Sequence, residues 1–234
     1  LLLPLAAVAL ATPVLAQSTT RDVPPATAAS ARGNDAEARA LLDRTAAQLQ
    51  RGGGFRATFT QTIANPILGG AQTSAGSYAQ RAPGVFAIDF TEPAGDRIVS
   101  DGTALWVYVP SATPGQVLRL ATGANAPGGV DIIGQFFTAP SQRYTIGDGG
   151  STTLDGATAR IVKLVPREPM GFNRASVWLD PASATLRQLE VTEPSGTVRT
   201  IRFTGMTRGV AFGANTFRFT APRGVKVVDP SAMR

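Results

Sequence analysis

Apolar and polar residues alternate with a period of two along most of the chain after residue 54. The alternation is clearest in the segments 55–63, 86–90, 176–179, 199–203 and 217–219. Because successive side chains of a strand point to opposite faces, this pattern indicates strands that bury one face. Turn residues separate these segments, and the pattern predicts about eleven or twelve short strands in an antiparallel meander or barrel.

The run from Ile98 to Val117 is the clearest hairpin in the chain. Its sequence, IVSDGTALWVYVPSATPGQV, places Asp101 and Gly102 between two apolar stretches. Glycine tolerates the positive φ that tight turns need, so these two residues predict the turn. Residues 105–109 are apolar at every position and include two aromatic side chains. We therefore expect this strand to face a core or an apolar cavity.

Two segments depart from the strand pattern. Residues 35–51 carry apolar side chains at helical spacing and are followed by glycines, which predicts one helix with one apolar face to bury. Residues 130–137 place four apolar side chains on a second helical stripe. These four are Ile132, Ile133, Phe136 and Phe137. A helix among strands must cover something, and the sequence alone allows either a cap on the core or a lid over a ligand cavity.

The first residues of the chain resemble an export signal. Residues 1–15 are almost purely apolar, and Val14, Leu15 and Ala16 fit a cleavage site with small residues. We expect residues 1–16 to be a signal peptide, truncated at its start because it lacks a charged beginning. Residues 17–33 are rich in Ser, Thr, Ala and Pro and predict a disordered tether. Residues 34–234 are then expected to form a single domain.

The composition excludes several kinds of chemistry. The chain has no cysteine and no histidine, which removes disulfides, a lipid-attachment cysteine, the usual zinc ligands and the Ser-His-Asp triad. We expect no enzymatic activity, no cofactor and no metal. The net charge of +6 comes almost entirely from arginine, and these arginines are scattered, so we expect no nucleic-acid binding. A basic rim that meets an acidic partner or anionic lipid stays open as an alternative.

Four motifs occur in order along the chain. They are FRATFTQ at residues 55–61, GSYAQRAPGVFAIDF at 76–90, the hairpin at 98–117, and NTFRFTAPRGVKVVD at 215–229. Together with the apolar start and the missing cysteine, these motifs resemble the periplasmic outer-membrane lipoprotein carrier family, LolA. The resemblance covers the chain from about residue 55 to residue 229, which is most of the expected domain.

The resemblance implies a fold and a function. The implied fold is mainly β: an unclosed antiparallel β-barrel, or half-barrel, of about eleven strands with an N-terminal helix and short lid helices. The implied function is a monomeric periplasmic chaperone for lipoprotein transport, which binds the acyl chains of lipoproteins in a hydrophobic cavity. Its implied partners are acylated lipoproteins, an inner-membrane ABC transporter that releases them, and an outer-membrane receptor where one is present.

The expected cavity combines strand and lid residues. The candidate acyl-chain-binding residues are Phe59, Phe86, Ile88, Phe90, Trp106, Ile132, Ile133, Phe136 and Phe137. In the family an arginine directly before a proline holds the lid to the barrel. Here Ala82 precedes Pro83, and Arg81 lies one residue earlier. Since one step along a strand reverses a side chain's facing, either a bulge lets Arg81 act as the lid latch or this chain lacks that latch.

Two other functions use the same expected fold. One is a periplasmic carrier of a different lipid or glycolipid, and the other is a lipid-sensing regulatory protein. An apolar cavity does not identify its cargo, so the sequence leaves these alternatives open beside lipoprotein transport.

Overall fold

The structure is a computed structural model that describes residues 26–51, 53–67, 69–122, 131 and 133–230, with side chains from residue 33 onward. The elements in chain order are α1 (Ala26–Arg51), β1 (Phe55–Ala64), β2 (Ala71–Ala82), β3 (Val85–Glu92), β4 (Ala94–Asp101), β5 (Ala104–Tyr108), β6 (Gln116–Ala121), α2 (Gly134–Phe137), α3 (Pro140–Arg143), β7 (Tyr144–Leu154), β8 (Ala157–Pro166), β9 (Arg174–Leu179), β10 (Leu186–Thr192), β11 (Val198–Arg208) and β12 (Lys226–Val228). The predicted signal peptide lies outside the described residues.

The twelve strands of the described ranges belong to one sheet with the order β12-β6-β5-β4-β3-β2-β1-β11-β10-β9-β8-β7. Every pairing is antiparallel except that of β12 with β6. The first and last strands of this order are not paired, so the barrel is unclosed, as predicted. One central pair, β1 with β11, joins the hairpins β1–β6 to the hairpins β7–β11.

The sheet has an inner face, defined here by the buried side chains of Phe55, Phe59, Tyr78 and Phe203. Helix α1 packs on this face against β7, β8 and β9, and it buries Ala38, Leu41, Leu42 and Ala46 there. The two halves of the sheet share one hydrophobic core on this face. Burial of these apolar side chains is the main force that holds the helix to the sheet.

Helix α1 begins earlier than predicted. It starts at Ala26 rather than near residue 35, so residues 26–33 are helical where the sequence suggested part of a disordered tether. The segment from 26 to 32 contains four alanines, and alanine has the highest intrinsic helix propensity. Helix propagation from the packed part of α1 costs little in such a segment. No described helix is long and apolar enough to cross a membrane.

The outer face of the first half is covered by the chain after β11. Phe217 is buried against Ala79, Ala87 and Val99, in a small second cluster outside the main core. Residues 226–228 then pair with β6 and so cover one edge of the sheet. The predicted strand around residues 217–219 is not formed, because these side chains pack onto a sheet face instead of joining a ladder.

Candidate functional site

An apolar cavity lies between the inner face of the sheet and the lid, which comprises residue 131 and residues 133–143. Its free space in this conformation is about 20 Å³. Its walls are Phe59, Gln61, Tyr78, Ile88, Phe90, Ile133, Ile201 and Phe203. These residues come from β1, β2, β3, β11 and the lid, so only the tertiary fold brings them together.

Strand register explains why these side chains meet. Phe59 pairs with Gly76, and Gly76 pairs with Phe90, so all three lie in one row across the sheet. The rings of Phe59 and Phe90 meet edge to face across the glycine, with centroids 5.6 Å apart. A Cβ atom at Gly76 would lie 2.3 Å from the carbonyl oxygen of Asp89. Only glycine fits this position, and its missing side chain leaves room for the two rings.

Four of the predicted cavity residues line this cavity. They are Phe59, Ile88, Phe90 and Ile133. The structure adds Gln61, Tyr78, Ile201 and Phe203, which were not among the predicted cavity residues. Tyr78 lies two residues from both Gly76 and Gln80, and Ile201 lies two residues from Phe203, so the residues of each set share a face. The pairing of β1 with β2 and with β11 was needed to show that this face lines the cavity.

Three other predicted residues are buried beside the cavity and do not line it. Phe86 is fully buried and stacks on Tyr78, with ring centroids 6.0 Å apart. Phe136 packs into the core against Tyr144 and Phe172. Phe137 lines a separate hollow beside the end of α1. Their assignment to the cavity is therefore corrected, because each packs against a neighbouring element instead of facing the open space. Ile132 lies outside the described residues.

The assignment of Trp106 to the cavity is also corrected. Trp106 lies on the outer face, where its ring stacks on Phe219 with centroids 5.6 Å apart and the Arg119 guanidinium lies 5.5 Å from its ring centroid. The neighbours Leu105 and Val107 carry the inner face of this strand. Because every side chain here is apolar, the alternation that identifies the buried face of other strands gave no information.

Arg81 does not reach the lid. Its side chain is exposed on the outer face, and its guanidinium lies 5.2 Å from the centroid of the Phe217 ring. The adjacent Gln80 is buried on the inner face. A register irregularity does occur between Gln80 and Ala82, but it leaves Arg81 on the outer side. The latch role predicted for Arg81 is thus corrected for this conformation.

The lid is instead joined to the sheet by a carboxylate, that of Asp131. Its Oδ2 accepts hydrogen bonds from Gln80 Nε2 at 2.8 Å and from the backbone N–H of Gly84 at 3.0 Å. Its Oδ1 accepts from the Tyr78 hydroxyl at 3.2 Å and from the backbone N–H of Gly134 at 2.7 Å. Three of these four bonds cross from the lid to β2 and the β2–β3 turn. The contact joins an acceptor on the lid to donors on the sheet.

Electrostatics keep Tyr78 able to donate. Burial raises the pKa of the Tyr78 hydroxyl well above its usual value, and the charge and hydrogen bond of Asp131 raise it further. The hydroxyl therefore stays protonated at physiological pH. Further contacts join the lid to α1: Gln50 Nε2 donates to the Phe137 carbonyl at 2.9 Å, and Arg39 Nη1 donates to Ser141 Oγ at 3.0 Å.

The cavity has a closed end and an open end. Along β1, β2 and β3, inner-face side chains are buried near the lid contact and become partly exposed towards Ile63, Ser74 and Phe90. On β11, Ile201 and Phe203 are buried and Arg199 is partly exposed. Among the described residues, no cluster of acidic side chains could hold a metal ion.

Comparisons with known proteins agree with this fold. The family model described as "Outer membrane lipoprotein carrier protein LolA" matches residues 52–122. An outer-membrane lipoprotein carrier protein from Methylococcus capsulatus is 29% identical over 176 residues, which are 75% of this chain and 81% of the relative. One from Neisseria meningitidis serogroup B is 26% identical over 177 residues, which are 75% of this chain and 81% of the relative.

A solved structure extends the comparison to the fold. The crystal structure of an uncharacterized conserved protein from Thermus thermophilus has a TM-score of 0.50 and 13% identity, over 82% of this chain and 98% of that protein. At this identity the likeness concerns the fold alone. Together with the family model and the two relatives, the unclosed sheet confirms that the chain resembles the outer-membrane lipoprotein carrier family, as its motifs predicted.

Proposed function

We propose that this protein is a periplasmic carrier that binds the acyl chains of lipoproteins in the cavity under the lid. The observation that carries the proposal is an apolar cavity closed by a polar contact. Acyl chains offer no hydrogen bonds, so walls of aliphatic and aromatic side chains suit them. The names of the two relatives, both outer-membrane lipoprotein carrier proteins, support the same cargo class.

The size of the cavity supports a lid that moves. The free space of about 20 Å³ in the closed cavity holds little more than one water molecule, far less than ligand pockets of roughly 300–1,000 Å³. Loading then requires displacement of the lid and breakage of the three bonds from Asp131 to the sheet. Three such bonds cost roughly 5 kcal/mol to break, and burial of about six methylene groups would offset that cost. An acyl chain can supply this number of methylene groups.

The proposed route follows from cargo of this kind. Lipid-modified proteins cannot cross an aqueous compartment with exposed chains, because each exposed methylene costs about 0.8 kcal/mol. We propose that the carrier receives them from an inner-membrane ABC transporter and delivers them to the outer membrane, through a receptor where one is present. Purified protein added to spheroplasts should release acylated lipoproteins into the soluble fraction, and no release would contradict this route.

A binding measurement tests the cavity. The neutral apolar dye N-phenyl-1-naphthylamine should bind the wild-type protein and be displaced by lipids with long acyl chains. Phe90→Glu places a charge at the open end of the cavity, where the side chain is only half-buried. We expect this variant to lose about tenfold or more in dye affinity, because a buried charge is costly.

The neighbouring Thr91 supplies a matched control. It is exposed and lies on the outer side of the same strand, so Thr91→Glu makes a similar change away from the cavity. The control should bind the dye like the wild type. If the two variants bind equally well, or if the wild type binds neither dye nor lipid, the proposed function is wrong.

A further inference from the structure

A polar cluster marks the open end of the cavity. Gln61, which lines the cavity, accepts a hydrogen bond from Arg199 Nη1 at 3.1 Å and donates through Nε2 to Ser74 Oγ at 3.1 Å. The three residues lie on neighbouring strands, β11, β1 and β2, and share the inner face. They form a connected row at the end of the cavity away from the lid.

Among the described residues, the Arg199 guanidinium has N–H donors beyond the one that binds Gln61. The Arg199 side chain is 31% exposed, and its second terminal nitrogen lies 3.7 Å from Glu193 Oε1, beyond good hydrogen-bond distance. A guanidinium offers five N–H donors in a rigid fork. Gln61 holds this fork at the cavity mouth and leaves other donors for a ligand. The polar group of a lipid whose chains fill the cavity would meet these donors first.

We infer that Arg199, with Gln61 and Ser74, forms a subsite for the ester carbonyl oxygens of a diacylglyceryl group. The inference rests on the proposed function, since it needs acyl chains in the cavity. Ester carbonyls are the first polar atoms beyond the chains, and a guanidinium can donate to two of them at once. The subsite would set how deep the chains enter and would favour ester-linked lipids over plain hydrocarbon.

Two lipids carry this chemistry, and the experiment includes both. Displacement of N-phenyl-1-naphthylamine would be measured with a diacylglyceryl-cysteine peptide, with its dialkyl-ether analogue, which lacks the carbonyls, and with phosphatidylglycerol. In Arg199→Gln we expect affinity for the ester-linked peptide to fall about tenfold, while the ether analogue and the dye alone stay within about twofold. Arg199→Lys, which keeps the charge without the fork, should lose less.

Arg202 provides the matched control. It lies on the same strand on the outer face, is 39% exposed at its side chain, and pairs with Asp155 at 3.2 Å. Arg202→Gln removes the same charge from the protein and should leave every affinity unchanged. Thermal unfolding of each variant, together with Arg199→Lys, separates a binding effect from a folding defect.

The outcomes distinguish this inference from the proposed function. If Arg199→Gln loses affinity only for the diacylglyceryl-cysteine peptide, the subsite is assigned to lipoproteins. If it loses affinity for phosphatidylglycerol as well, the subsite is assigned to the diacylglyceryl group in either molecule. Equal ester affinity in Arg199→Gln and the wild type would overturn the inference, and so would an equal loss for the ether analogue and the dye. If the wild-type protein binds no lipid and no dye, the proposed function itself fails.

Discussion

The two halves of the sheet bury their inner faces in different ways. In the half formed by β7–β10, helix α1 lies directly on the strands, and side chains such as Leu42, Leu164 and Leu179 are fully buried. In the half formed by β1–β3, the lid covers the strands with Ile133, which lines the cavity, and with Asp131, which bonds to β2 and the β2–β3 turn. There the space is incompletely filled, and one carboxylate supplies the main polar contact between lid and sheet.

The two ways of covering the inner face suit the two halves of the sheet to different roles. Helix α1 buries Ala38, Leu41, Leu42 and Ala46, so its removal would expose several apolar side chains at once. The lid is a short segment, and part of its attachment comes from hydrogen bonds that can be exchanged for bonds to water. It also buries Ile133, Phe136 and Phe137, and in the proposed carrier an acyl chain replaces the apolar contacts of these residues when the lid opens.

The largest effect is expected in the packed half. Leu42→Ala removes a fully buried side chain of α1, and such a change costs about 2–5 kcal/mol in unfolding free energy. Urea unfolding measures this loss. Dye affinity of the folded fraction should stay near that of the wild type, because the cavity lies in the other half. A fall in dye affinity as large as the fall in stability would show that the two halves do not act separately.

A smaller effect is expected at the lid contact. Asp131→Ala removes three bonds to the sheet, and we expect the free energy of lid opening to fall by up to about 5 kcal/mol, the cost of breaking these bonds. Hydrogen exchange of residues 133–143 should then speed up by about tenfold or more, with a smaller change in global stability. Unchanged exchange would show that packing alone closes the lid.

Arg81→Leu is the control for the lid contact. Arg81 lies on the outer face over Phe217, so its loss should leave exchange of the lid unchanged. Faster exchange in Arg81→Leu than in Asp131→Ala would restore Arg81 as the latch. Because the pKa of Tyr78 is raised well above its usual value, lid exchange corrected for the intrinsic rate should also stay constant from about pH 7 to pH 9.

The smallest effect is expected at a turn of the packed half. Backbone hydrogen bonds, that of Ser183 first, and the Arg187 guanidinium lower the pKa of Asp180 to about 2. A carboxyl whose folded pKa is lowered stabilises the fold above its unfolded pKa, and that contribution is lost as pH falls towards 2. Solvent screens this turn, so we expect Asp180→Asn to cost about 1 kcal/mol at pH 7.

The pH dependence of unfolding checks this last expectation. Urea unfolding at pH 7, 4 and 2 should show the wild type losing its advantage over Asp180→Asn between pH 4 and pH 2. An advantage that persists at pH 2 would show that the turn is stabilised without the charge of Asp180. Dye affinity should be the same in both proteins at pH 7, since the turn is remote from the cavity.

Much of the fold was predictable because strand alternation is a local property. The period of two identified which side chains of β1 and β3 share a face, and Phe59, Ile88 and Phe90 do line the cavity. Of the helical stripe at 130–137, Ile133 lines it too; acyl-chain binding by these residues stays a prediction. The number of strands and the unclosed sheet also agreed with the pattern and the resemblance. Strand alternation and helical stripes depend on neighbours within about ten residues of the chain, whereas the unclosed sheet was implied by the resemblance.

The local sequence pattern was enough to predict most of the strands, the part of α1 after residue 35 and the apolar character of the lid. The tertiary structure was needed to show which face of the entirely apolar strand β5 points inward. Trp106 lies on the outer face of this strand, against Phe219. The tertiary structure also decided that Asp131, and not Arg81, joins the lid to the sheet. The physical reason is that a hydrogen bond between residues about 50 positions apart depends on strand register and lid position, and neither leaves a local pattern in the chain.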